Sequence, residues 1–290
     1  FANDKGFRYA LENQGFDVAR VLMDQQVPED INIIVISDMR EWFTPEQEAN
    51  LQQYIDRGGN LFILGEPKRR DVMNKLFAKF GYEMTTGVLV KSDTNLQADV
   101  ILSYPTKEAD SIAYDFGTMR RRRMVITTPS TAGLEQIADK GYTVTNMFTT
   151  DTVGVWNELE TTDFIDDTVR LNPVIGEVEK IYNTVVALSR KVGDKEQKII
   201  LTGDADCISN GEFGRRVPTA RASNFSLITG SFFWMSDNEV PIDVRRPALP
   251  DDKVYVEKTG SKVIKWSFMI VLPLLLAGIG IFLWIRRKGR

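Results

Sequence analysis

Along the first 80 residues, apolar positions fall into two kinds of run. Ile31–Ser37 (INIIVIS) and Asn60–Leu64 (NLFIL) are near-continuous apolar stretches, the pattern of strands buried on both faces. Between them, Thr44-Pro45-Glu46-Gln47 combines an N-cap Thr, Pro at the first helical position and Gln three residues on. That signal predicts a helix running to about Arg57 and stopped by Gly58-Gly59. Asp4 is placed to cap a helix over Lys5–Gln14 that Gly15 ends, and Phe16–Val21 reads as a strand. Asp71–Phe80, ended by Gly81, reads as a further helix. Strand and helix alternating in this order predict a doubly wound, mostly parallel α/β sheet with helices on both faces. Ile31–Ser37, Asn60–Leu64 and Lys198–Thr202 are expected to be neighbouring central strands.

The pattern changes over residues 82–190. VLV, DVILSY, MVITT and YTVTNMF are short strand-like runs with Thr-rich and Gly-containing joins. They predict a more antiparallel, β-rich insertion or extension. Thr149–Pro173 is acidic and reads as a loop with a short helix. Val185–Arg190 and Lys198–Thr202 return to strand, and Ser223–Met235 (SNFSLITGSFFWM) predicts a helix buried almost all round. Asp243–Ser261 carries two prolines and mixed charge, which suits a strand followed by a linker near the membrane.

Trp266–Ile285 then supplies 20 residues with no charge. At about 1.5 Å per residue such a helix spans roughly 30 Å, the hydrocarbon thickness of a bilayer. Trp266 and Trp284 stand where interfacial anchors belong. Lys262 and Lys265 precede the span, whereas Arg286, Arg287, Lys288 and Arg290 follow it. The positive-inside rule therefore puts the tail 286–290 in the cytoplasm and an α/β domain of residues 1–260 outside, for a bacterial chain in the inner membrane. The chain begins at Phe1 with no signal-peptide pattern, and is expected to be a fragment of a longer protein.

Composition narrows the chemistry. Histidine is absent and Cys207 is the single cysteine. Ser-His-Asp and Cys-His sites, His-ligated zinc and an intrachain disulfide are excluded. Without the four basic residues of the tail, 32 Lys and Arg face 40 Asp and Glu, a net of −8 that does not suit nucleic acid. Neither a P-loop nor a G-x-G-x-x-G fingerprint occurs, so no ATPase or dinucleotide site is expected.

Three features remain as candidate sites. Glu66, in LFILGEP, follows a buried strand where a nucleophile elbow would project, but Gly65 and Pro67 flank it; the alternative is a turn with a solvated Glu. Asp204 and Asp206 end the strand of KIILTGDADCISNGEF; carboxylates two apart ligate Mg²⁺ or Ca²⁺, or else cap backbone amides in Asx-turns. Arg120-Arg121-Arg122-Arg123 is a basic run in an acidic domain, suited to an anionic partner or, as the plainer alternative, to a solvated loop or edge strand. Cys207 lacks a cationic activator and reads as a buried, inert thiol. Asn224-Phe225-Ser226 matches a glycosylation sequon in a helical, aromatic context that argues against use.

The segments ALENQGFDV, YIDRGGNLFILGEP, IILTGDADCISNGEF and NFSLITGSFFWMSDNEVPIDVRRP, followed by one helix and a basic tail, resemble the extracytoplasmic domain of GldG-like proteins. These are auxiliary components of gliding-motility-type ABC transporters. The resemblance implies a class I glutamine-amidotransferase or flavodoxin-like fold, a permease and a separate ATPase subunit as partners, and no cofactor. Enzymes of related fold use Cys-His chemistry. With no His, and with Glu66 at the elbow-like place, the resemblance implies a chain that is not an enzyme. Two other functions fit the residues. One is a membrane-anchored hydrolase of glycan or phosphoester using Asp204, Asp206 and Glu66. The other is a single-pass adhesion or receptor domain.

Overall fold

Thr44 Oγ1 accepts the Gln47 amide proton while the Gln47 side chain accepts that of Thr44, closing the capping box at the head of helix α1 (Pro45–Asp56). Gly58 then adopts a positive φ of 86° and reverses the chain. The computed structural model describes residues 10–92, 95–165, 168–241 and 258–289. Two units separate by their contacts, Phe1–Asp243 and Val244–Arg290.

In the first unit, β1 (Ile33–Ser37) runs parallel to β2 (Asn60–Leu64) on either side of α1. Helix α2 (Arg70–Lys79) follows and leads through Gly81 into β3 (Tyr82–Met84). The β-rich stretch supplies β4 (Val88–Lys91), β5 (Val100–Pro105), helix α3 (Tyr114–Arg121), β6 (Met124–Pro129), β7 (Leu134–Gln136), β8 (Thr143–Thr149) and β9 (Val155–Glu158). Strands β10 (Asn183–Val192) and β11 (Lys195–Thr202), the short helix α4 (Asn210–Phe213), β12 (Arg221–Ala222) and helix α5 (Asn224–Met235) complete it. The main sheet runs β1-β2-β11-β10-β8-β5-β6-β12, with β7 attached to β10 and β3 to β7, and β4 pairs β9 in a separate ribbon.

The expected mostly parallel sheet is corrected to a mixed one. Among the described residues only β1–β2, β2–β11 and β6–β12 are parallel; β11–β10, β10–β8, β8–β5 and β5–β6 are antiparallel. The cause is local. Gly193 and Asp194 join β10 to β11 in a two-residue hairpin, with Gly193 at φ 60°, and so short a connection permits only antiparallel pairing. Apart from the β4–β9 ribbon, the strands of residues 82–190 thereby continue the same sheet.

Helices do cover both faces. Leu61 and Ile63 of β2 and Ile199 and Leu201 of β11 point toward α1 and α2, packing on Leu51, Tyr54, Leu76 and Phe77. The alternate residues Phe62, Leu64 and Ile200 meet Phe116 of α3 and Leu227 and Phe232 of α5. All four apolar residues of β2 are fully buried, which accounts for its unbroken apolar run. Each is worth roughly 1.5–3 kcal/mol of transfer free energy. The end of α5 is held by Lys198, whose ammonium donates to the Trp234 carbonyl at 2.9 Å and to Asp237 at 2.6 Å. Cations suit a helix C-terminus, where carbonyls lack partners.

Other expectations are also corrected. Strand β1 neighbours β2 as expected but is not central: among the described residues it has a strand on one side only, and Val35 is 45% exposed. Phe16–Val21 forms no strand; Phe16 instead turns its ring onto Phe232 of α5, 5.2 Å between centroids. β9 lies in the stretch read as loop, because its Val155 and Trp156 fill two small clusters of their own under β4. Of the N-terminal helix read over Lys5–Gln14, residues 1–9 lie outside the described residues, and Glu12–Gln14 is a 3₁₀ turn closed by Gly15 at φ 97°. The strand and linker read between Asp243 and Ser261 fall largely on 242–257, also outside them, and a helix begins at Lys258.

In the second unit one helix, Thr259–Lys288, is long and apolar enough to cross a membrane, and all of its described side chains are exposed. Its thirty residues correspond to about 45 Å. Ser267–Val271 widens to a π-turn just before Pro273. Pro273 has no amide proton and its ring crowds the carbonyl four residues back, so a wider turn there relieves the clash.

Candidate functional site

The parallel strands β2 and β11 end side by side, and the Gly65 amide donates to the Thr202 carbonyl at 2.9 Å. Glu66 and Asp204 therefore emerge at one end of the sheet, as the sequence led us to expect. Their side chains take different paths. Glu66 is half-buried and its Oε1 accepts the Lys68 amide proton at 3.0 Å, capping the turn Pro67–Arg69. Asp204 is buried. Its Oδ1 accepts the Asp206 amide proton at 2.7 Å, the Asx-turn alternative. Its Oδ2 is buried with no hydrogen-bond partner. Burial above all, then the Asp206 and Glu66 charges, pushes the Asp204 carboxyl well above the usual range. Asp206 itself is exposed.

Cys207 donates its thiol proton to the Asp204 carbonyl at 3.2 Å. Burial, and next the Asp204 and Glu212 charges, hold that thiol well above its ordinary pKa, which disfavours the thiolate a nucleophile needs. Glu66, Asp204 and Asp206 do not converge as a ligand set. Among the described residues the acidic group whose ligand oxygens all lie within 4.8 Å is Glu158, Glu160 and Glu177. Sequence reading missed it, the E-L-E spacing at the end of β9 being its one local trace. Its buried members are taken up by the chain itself: Glu158 accepts from the Glu160 and Thr161 amides and the Trp156 indole, and Glu177 from the Leu159 and Asn172 amides. Such bonds fix a loop.

A second buried network binds the loop after β11 to β6 and α5. Asn224 Nδ2 donates to the carbonyls of Thr127 and Cys207, each at 2.7 Å, and its Oδ1 accepts the Thr127 amide proton at 3.0 Å. The Thr127 hydroxyl donates to Glu212, which Arg215 Nε contacts at 2.8 and 2.7 Å. The Glu212 carboxylate raises the Arg215 pKa further. This use of Asn224, only 1% exposed, also explains why its sequon is not presented to solvent.

The arginine run is neither loop nor edge strand. Arg120 and Arg121 form the last turn of α3, Arg122 caps it, and Arg123 turns the chain into β6 at φ 53°. Arg120 grips Asp110 through two hydrogen bonds, and this contact lowers the Asp110 pKa. Arg121 lies over the Tyr114 ring, 5.5 Å from its centroid. Arg122 and Arg123 are exposed, and their side chains have no hydrogen bond or ion pair among the described residues.

A family model described as an ABC-type uncharacterized transport system matches residues 1–230. No curated protein matches the chain. Among solved structures similar to it is the mmIFT52 N-terminal domain, at 15% identity and a TM-score of 0.48, over 72% of this chain and 78% of that one.

Proposed function

The chain belongs to the auxiliary family of ABC-type transport systems, and from that premise we propose that it is a non-catalytic, membrane-anchored subunit whose α/β domain holds a partner or substrate for a permease. The family membership is the observation that carries this reading. The helix 259–288 supports the anchor. The candidate residues of a hydrolase support a non-catalytic role by their other occupations. Glu66 caps a turn, Asp204 is buried in an Asx-turn, and the Cys207 thiol is sealed among acidic groups.

In this proposal the system resembles the GldG-like kind, the main sheet is a mixed relative of the flavodoxin or class I glutamine-amidotransferase architecture, and a separate subunit hydrolyses ATP. The domain lies outside a bacterial inner membrane and the tail from Arg286 lies in the cytoplasm, following the excess of basic residues there. Arg122 and Arg123 are the part of the arginine run open to an anionic partner. Affinity purification of the full chain from its membrane in mild detergent tests the reading. Recovery of a permease and a nucleotide-binding subunit is expected; recovery of the chain alone would overturn it.

A further inference from the structure

The loop that leaves β11, residues 203–207, is a crossing of several segments. The Gly203 amide donates to the Thr184 carbonyl of β10 at 3.0 Å. The Ala132 amide, between β6 and β7, donates to the Gly203 carbonyl at 3.0 Å. The Thr202 hydroxyl donates to the Asp204 carbonyl at 2.7 Å, and the Cys207 thiol donates to the same oxygen at 3.2 Å. Asn224 of α5 donates to the Cys207 carbonyl at 2.7 Å. While these bonds stand, Cys207 is fully buried.

The carboxyl of Asp204 is set into this crossing, with only 2% of the residue exposed. Its Oδ1 holds the Asp206 amide proton, whereas its Oδ2 is buried with no hydrogen-bond partner among the described residues. A protonated carboxyl tolerates such a place. An ionised one gives up its water there and gains no hydrogen bond at Oδ2 in return. Burial first, and then the acidic neighbours Asp206 in the loop and Glu66 at the end of β2, favour the protonated form. In α4, Glu212 acts on the adjoining Cys207 and is paired with Arg215. Thr131, Thr184 and Asn224, which meet the loop from other elements, do not titrate. The ionised carboxyl regains water only when the loop swings out, and Cys207 lies three residues further along the same loop. Local openings of this kind are sampled by every fold. Because the closed loop holds the proton more tightly than the open one, the open fraction grows with pH by up to about tenfold per unit.

We propose that residues 203–207 form a proton-operated latch, shut over Cys207 while Asp204 carries its proton and opening as Asp204 gives that proton to solvent. The latch rests on the geometry of this loop and is independent of the transporter reading.

Cys207, the single cysteine, reports the state of the loop. The test follows its capping by dithiodipyridine in the full chain in mild detergent, from about pH 4, where an unfolded Asp titrates, to about pH 9. Each rate is divided by that of the urea-unfolded chain at the same pH, so that ionisation of the thiol itself cancels. The ratio is expected to climb with pH in the wild type, by up to about tenfold per unit. Asp204→Asn keeps the acceptor for the Asp206 amide but cannot ionise, and its ratio is expected to be independent of pH. Glu66→Gln keeps the acceptor for the Lys68 amide and removes one neighbouring negative charge, so the climb is expected to move to lower pH. A flat wild-type ratio, or a climb that persists in Asp204→Asn, would overturn the latch. Where Asp204→Asn does not fold, Glu66→Gln decides: a climb that stays in place or moves to higher pH would overturn it.

Discussion

Asp204 joins two properties that sequence alone keeps apart, a turn-forming side chain and a buried carboxylate. Its Oδ1 is used by the Asp206 amide, and its Oδ2 has no partner. Since burial disfavours the ionised form, the folded chain keeps the proton to a higher pH than the unfolded chain, in which an Asp titrates near ~3.9. The stability this group lends is therefore complete below about pH 4 and is lost as pH rises toward the raised folded value. Asp204→Asn retains the acceptor for the Asp206 amide and removes the ionisation. Thermal melts should show the variant at least as stable as wild type at pH 7, with the advantage shrinking toward pH 4. A variant that melts lower at pH 7 would contradict the burial account. At this scale the sequence offered the right residues with two roles open: the D-A-D spacing is equally that of a ligand pair and of an Asx-turn, and the fold around Asp204 uses it as the turn.

At the scale of elements, local signals served where one segment carries its own cause. The capping box of α1, the glycine stops at Gly58 and Gly81, the buried runs of β2 and β11 and the all-round apolar α5 were legible for that reason. What was not legible depends on which strands become neighbours. The β10–β11 hairpin makes the centre of the sheet antiparallel, and β1 is left at one side. A crossing at Gly203 was equally hidden. After β6, the segment around Ala132 passes the end of β11, where the Ala132 amide donates to the Gly203 carbonyl at 3.0 Å. A Cβ on Gly203 would lie 1.9 Å from the Ala132 carbonyl oxygen and 2.8 Å from the Thr131 hydroxyl. Backbone cannot yield as a flexible side chain does, so Gly203→Ala should destabilise by more than about 2 kcal/mol, in the tail of single-substitution effects. Chemical denaturation measures it; a change under about 0.5 kcal/mol would mean that the crossing is looser than described.

For the whole molecule, chemistry and assembly separate. At the end of β2 and β11, Glu66 and Asp204 are taken up in turns, and the loop after β11 is tied to β6 and α5 through Thr127, Asn224, Glu212 and Arg215. Exposed features of the same unit include the side chains of Arg122 and Arg123 after α3 and the apolar Val174; the second unit is described by its apolar helix 259–288. That network was not readable in the sequence, because it depends on side chains from several segments meeting. The central proposal is that this auxiliary chain acts by binding and not by carboxylate chemistry. The most direct measurement is the ATP-hydrolysis rate of the purified transport complex carrying the Glu66→Gln/Asp204→Asn chain, compared with the wild-type complex and with complex lacking the chain. The account predicts the wild-type rate with the variant chain bound; a rate that falls to that of the chain-free complex while the folded variant remains bound would contradict it.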